Sequence, residues 1–139
     1  MNYVLDTCVL SELVKPKPEK KVAAWMEGAD EESLYLSVLT IGEIRKGISK
    51  LADARRKAVL RQWLDIDLRR RFEGRILAIS EEVAMIWGEL QGLSELRGLP
   101  VPTIDGLLAA TAMAHRCTIV TRNESDLERT GALIFNPWK

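Results

Sequence analysis

The chain opens on three apolar residues, Tyr3, Val4 and Leu5, cut off by Asp6. A short run without polar alternation is the pattern of a strand buried on both faces. Comparable segments recur at residues 34–37, 75–79, 118–121 and 133–135. Between them the periodicity is helical. Residues 7–14 form a short helix stopped by Pro16 and Pro18, and residues 19–28 another, with Val22, Trp25 and Met26 on one face. Helices follow over 40–51 and 54–72, the second striped by Val59, Leu60, Trp63, Leu64 and Leu68. Another runs over 80–98. The helix from Thr103 is apolar almost all round, which predicts a buried one, and residues 125–129 form a helical turn. Unalternating strands separated by helices predict an α/β fold: a three-layer α/β/α sandwich around a central, mainly parallel sheet of four to five strands.

At 139 residues the chain fits a single domain, 1–139. Lys plus Arg number 20 and Asp plus Glu 20, which excludes a protein that coats nucleic acid through bulk charge. No apolar run is long enough to span a membrane, and the N-terminus lacks the pattern of a signal peptide, so the expected location is cytoplasmic and no membrane partner is expected. Cys8 and Cys117 are too few for a disulfide scaffold, and His115 with Cys117 lacks a second pair to complete a zinc site. The charge is unevenly placed: residues 42–75 hold eleven Lys and Arg against five Asp and Glu. Arg55, Arg56 and Arg61 lie in the dense part, as a solvated helix face or as a surface for RNA phosphates.

Ligands of open α/β sheets bind beyond the carboxyl ends of the strands. Asp6 directly follows the first strand and Asp126 lies shortly after the fourth. Glu43 and Asp105 fall in the opening turns of the helices from Thr40 and Thr103. Each acid has a structural role open to it. Thr40 and Glu43 fit a capping box, Asp6 a helix cap, Asp105 a complement to a helix dipole, and Asp126 a surface turn. Four acids at one sheet edge also fit a site for Mg²⁺ or Mn²⁺, because clustered carboxylates do not all stay ionised without a cation. Such clusters promote displacement at phosphorus.

Val4-Leu5-Asp6-Thr7-Cys8-Val9-Leu10-Ser11-Glu12-Leu13 and Ser37-Val38-Leu39-Thr40-Ile41-Gly42-Glu43-Ile44-Arg45-Lys46-Gly47 resemble the opening motifs of PIN-domain ribonucleases. Asp105-Gly106-Leu107-Leu108-Ala109-Ala110-Thr111-Ala112 and Ile119-Val120-Thr121-Arg122-Asn123 resemble the closing ones. Phe135-Asn136-Pro137-Trp138 is similar to the VapC/FitB branch, toxins of type II toxin–antitoxin pairs. The resemblance spans nearly the whole chain. It implies a PIN-like fold and a Mg²⁺- or Mn²⁺-dependent endoribonuclease acting on structured RNA such as tRNA or rRNA. It further implies a VapB-like antitoxin that blocks the acidic pocket, operator DNA bound only through that antitoxin, and a homodimer, for which Trp25, Trp63 and Trp87 offer apolar helix faces. Carried over residue by residue, Asp6, Glu43 and Asp105 are the central catalytic and metal-binding acids, and Thr7 and Thr121 are pocket hydroxyls. The fourth acid is Asp126, with Asn123 kept as a pocket residue where some relatives carry Asp. Cys8 replaces a frequent Asn or Ser, which puts one polar contact in doubt. Two alternatives stand beside this reading. A receiver-like phosphotransfer domain would want an Asp after the third strand, where the chain has Ser80. A non-catalytic binding module could retain the fold.

Overall fold

The computed structural model describes all 139 residues. Five strands, β1 (Asn2–Leu5), β2 (Leu34–Ser37), β3 (Ile76–Leu77), β4 (Cys117–Val120) and β5 (Ile134–Phe135), form one sheet in the order β3-β2-β1-β4-β5. Every pairing is parallel. The helices are α1 (Thr7–Leu13), α2 (Lys20–Gly28), α3 (Val38–Ser49), α4 (Ala54–Gln62), α5 (Arg69–Arg71), α6 (Glu81–Leu96), α7 (Thr103–Ala114) and α8 (Glu124–Glu128).

Successive strand residues face opposite layers, so each apolar run feeds two cores. Leu5 and Val120 enter a cluster with Val9, Leu10, Val22, Ile44 and Phe72. Their neighbours Val4 and Ile119 enter a second one with Leu90, Leu108, Ala109 and Leu127. That alternation between two buried faces is the three-layer sandwich.

Four local outcomes differ from the sequence expectation. β3 and β5 are two residues long, as befits sheet edges with a partner on one side only. α3 starts at Val38 rather than Thr40, because the Ser37 hydroxyl accepts the Leu39 N–H at 3.0 Å and caps the helix first. Thr40 is buried inside the helix with its hydroxyl unpartnered. The helix expected over 54–72 is continuous, but its middle, Trp63–Leu68, is wound as a π-helix. Trp25 and Trp63 pack against the first core and Trp87 lies against Gly106 of α7, so each of the three is partly buried within the chain and only part of each ring faces outward. Both cysteines are free thiols. No helix is long and apolar enough to cross a membrane.

Candidate active site

β1 and β4 are neighbours, yet from β1 the chain builds the sheet towards β3, and from β4 it builds towards β5. Such a reversal opens a crevice at the carboxyl ends of the two strands. Asp6 leaves β1 there and Thr121 leaves β4, and the Asp6 N–H reaches the Val120 carbonyl at 3.0 Å.

A chain of hydrogen bonds then gathers the acids. Asp6 Oδ1 accepts the Thr7 N–H at 2.8 Å, which caps α1, and Asp6 Oδ2 accepts the Thr121 hydroxyl at 2.8 Å. The Thr7 hydroxyl donates to Glu43 Oε1 at 2.7 Å. The Thr121 hydroxyl oxygen accepts the Asn123 N–H at 2.9 Å, and Asn123 Nδ2 makes a long contact of 3.4 Å to Asp105 Oδ2. Glu43 is free to join because Ser37 took the capping role that Thr40 would have shared with it.

Asp6, Glu43 and Asp105 line one cavity of about 340 Å³, with Thr7, Cys8 and Asn123 between them and Arg122 as its one basic residue. Burial first, and then the charges of Asp6, Asp126 and Glu43, raise the Asp105 pKa above the ordinary carboxylate value. A helix dipole acting alone would lower it. Burial and then Asp6 likewise raise the Cys8 thiol, which stays protonated and inert as a nucleophile. Cys8 Sγ lies 3.8 Å from Asp6 Oδ2 and 3.7 Å from the Thr121 hydroxyl, so a weak thiol contact fills the position where Asn or Ser is frequent.

Asp126 stands outside the cavity lining, in the first turn of α8, near enough for its charge to be felt by Asp105. No three or more Asp, Glu, His and Cys side chains close on a common point as a preformed metal cage. Mutually repelling carboxylates, each tied to a neutral donor, hold apart in this way. The donor set still fits a hard divalent cation, since Mg²⁺ keeps several waters and needs only one or two carboxylates.

Gly106 sets how deeply Asp105 sits. A Cβ there would stand 3.0 Å from Gln91 Oε1 and 3.2 Å from Trp87 Cδ1, so a larger residue would require these α6 side chains to give by a few tenths of an ångström.

The three arginines separate. Arg56 lines an apolar groove of about 310 Å³ that shares Thr7 and Glu43 with the acid cavity, while Arg55 and Arg61 are exposed on α4 outside it. Arg71 and Arg75 of the same basic stretch are structural, bound to Glu31 at 2.8 and 3.1 Å.

The comparisons with known proteins agree along the whole chain. The PIN domain family matches residues 3–133. The chain belongs to the PIN-domain family. This PIN domain is 36% identical to Toxin FitB of Neisseria gonorrhoeae, over 97% of each chain. It is 34% identical to VapC ribonuclease Y4jK of Sinorhizobium fredii, over 98% of this chain and 97% of that one. A solved structure of FitAB bound to an IR36 DNA fragment superposes with a TM-score of 0.92 at 34% identity, over 99% of this chain and 96% of that chain.

Arg122 was not among the residues singled out from the sequence. An arginine between a strand and a helix reads as surface, and its only signal was its place directly after Thr121.

Proposed function

We propose that this PIN domain is a divalent-metal-dependent endoribonuclease, the toxin of a type II toxin–antitoxin pair. One observation carries the reading: the hydrogen-bonded chain from Glu43 through Thr7, Asp6, Thr121 and Asn123 to Asp105, which brings three carboxylates to one crevice and leaves Asp105 with a raised pKa. Asp6, Glu43 and Asp105 would hold Mg²⁺ or Mn²⁺, with Asp126 adding charge from outside the lining. The chemistry supplied there, when the ion is bound, is positive charge that favours ionisation of water and offsets charge on the phosphate.

The chain's own residues orient and titrate. Thr7 and Thr121 fix the rotamers of Glu43 and Asp6 by donating to them. Asp105, whose pKa is raised by burial and by the neighbouring acids, is the carboxylate that gains most from a cation placed beside it. Asn123 holds its Oδ2 and leaves Oδ1 to the cavity. Arg55, Arg56 and Arg61 on α4 supply positive charge for the RNA backbone, Arg56 nearest the acids.

The FitB and VapC relatives support a toxin that cuts RNA, and the FitAB structure supports a VapB-like antitoxin partner through which operator DNA is bound. In the same reading two copies of the chain pair as a homodimer, which light scattering at several concentrations reports. Purified chain incubated with total RNA in Mg²⁺ or Mn²⁺ should give discrete fragments that EDTA abolishes. Intact RNA under all conditions, with folded protein, would return the domain to a binding module.

A further inference from the structure

We infer that Arg122 is a phosphate-binding side chain of the acid cavity and that Trp138, in the segment after β5, positions it. This rests on the ribonuclease reading above.

β5 pairs with β4, and the Thr121 N–H donates to the Phe135 carbonyl at 3.0 Å, so the tail after Phe135 runs beside the loop after Thr121. Asn136 Oδ1 accepts the Trp138 N–H at 2.8 Å and turns the tail back on itself. Lys139 Nζ pins the tail to Glu124 at 2.6 Å. The result is a stack: the Arg122 guanidinium carbon lies 4.7 Å from the centroid of the Trp138 ring.

Trp138 is not a loose surface ring. It packs against the core cluster that holds Leu10 and Val22. Its indole nitrogen is buried beside Glu12, near enough to help lower the carboxyl pKa, without reaching regular hydrogen-bond geometry.

The cation on the other side of the ring is unpaired. Arg122 shares its cavity with Asp6, Glu43 and Asp105, yet it takes part in none of the chain's salt bridges. Stacking occupies the face of a guanidinium and leaves its in-plane N–H donors free. Those donors match the bidentate geometry of a phosphate. A cavity lined by three carboxylates repels a polyanion, and Arg122 is the one group of the lining that attracts it. Trp138 keeps that attraction from collapsing onto the acids.

The test uses the full chain, a short labelled single-stranded RNA, and EDTA to prevent cleavage. Arg122→Ala should weaken binding and reduce the slope of log affinity against log salt by about 0.7, the share of one single-strand phosphate. Trp138→Leu, which fills the apolar volume without a ring, should reproduce that loss. Trp138→Phe should restore it, and the double variant Arg122→Ala/Trp138→Leu should lose no more than Arg122→Ala alone. With Mn²⁺ present, KM should rise in both single variants while kcat stays within about twofold. A wild-type salt slope in folded Arg122→Ala overturns the inference, as do additive losses in the double variant. A Trp138→Leu protein that only melts lower, at unchanged slope and KM, reduces Trp138 to a packing residue and also overturns it. Wild-type chain that neither binds nor cuts RNA defeats the ribonuclease reading itself, which is a separate result.

Discussion

Glu12 and Asp105 are both carboxylates withdrawn from water, and the fold treats them in opposite ways. Glu12, on α1, is 5% exposed. It accepts Lys15 Nζ at 3.1 Å and the Glu19 N–H at 3.2 Å, and its pKa is lowered, by Lys15 first. Asp105 has one long contact from Asn123, no cation, and three acids in electrostatic reach, and its pKa is raised. An acid that serves the scaffold is given its donors by the chain. Asp105 is left short of them, and that shortfall is what a bound ion or a reacting proton would make good.

The comparison breaks most visibly in activity. Asp6→Asn keeps the shape and one acceptor oxygen, for the Thr7 N–H, presents an amide donor to the Thr121 hydroxyl in place of the second oxygen, and removes the central charge. Cleavage in Mn²⁺ should fall at least about a hundredfold while the circular dichroism spectrum is unchanged. A wild-type rate would take Asp6 out of the reaction.

Glu12→Gln addresses the satisfied acid. A carboxyl whose folded pKa is lowered stabilises the fold above its unfolded pKa, and that contribution is lost as pH falls through the folded value. The variant should therefore melt below wild type at pH 7 and converge with it in acid. Equal melting temperatures at pH 7 would show that Lys15 and the Glu19 N–H contribute nothing net.

A second set of cations stands beyond Glu43, on α4, where Arg56 shares a groove with Thr7 and Glu43. Replacing Arg55, Arg56 and Arg61 with Ala should reduce the salt slope of RNA binding by up to about 2, at about 0.7 per phosphate. Arg56→Ala alone should account for the largest single share, since it borders the acids. An unchanged slope makes the cluster a solvated face.

Asp105→Asn sharpens the comparison by the smallest amount. Its folded pKa is raised, so the charged form opposes folding above the unfolded pKa and the effect disappears as pH falls below it. In EDTA at pH 7 the variant should melt higher, by only about one or two degrees, because a partly exposed group is screened. Mn²⁺ should stabilise wild type by mass action and the variant much less. A variant that melts no higher, and responds to Mn²⁺ as wild type does, would mean the acids do not act as one site.

Most of the scaffold was legible because β1, β2 and β4 are buried on both faces and therefore show as unbroken apolar runs. Asp6 was legible for the same reason, as the first polar residue after such a run. Glu43 was obscured by a capping-box pattern that Ser37 pre-empts, since an extended residue ending a strand is already placed to cap the next helix. The choice between Asn123 and Asp126 turns on which side of one short helix faces the crevice, which spacing does not encode. The stack of Arg122 on Trp138 was invisible because it joins two loops through a two-residue edge strand.

The sheet order also sets a schedule. β1 is the first strand made and the middle of the finished sheet, and its β4 neighbour begins only at Cys117. The Thr121 to Asp6 hydrogen bond spans 115 residues of sequence. Contacts of such separation form late. A nascent chain still short of Thr121 has Asp6 and Glu43 but no crevice to hold them, and one short of Trp138 lacks the ring beneath Arg122. The site is therefore the joint product of both ends of this sequence, and a chain cut between Glu43 and Thr121 should keep two of the acids without the hydrogen bonds that orient Asp6.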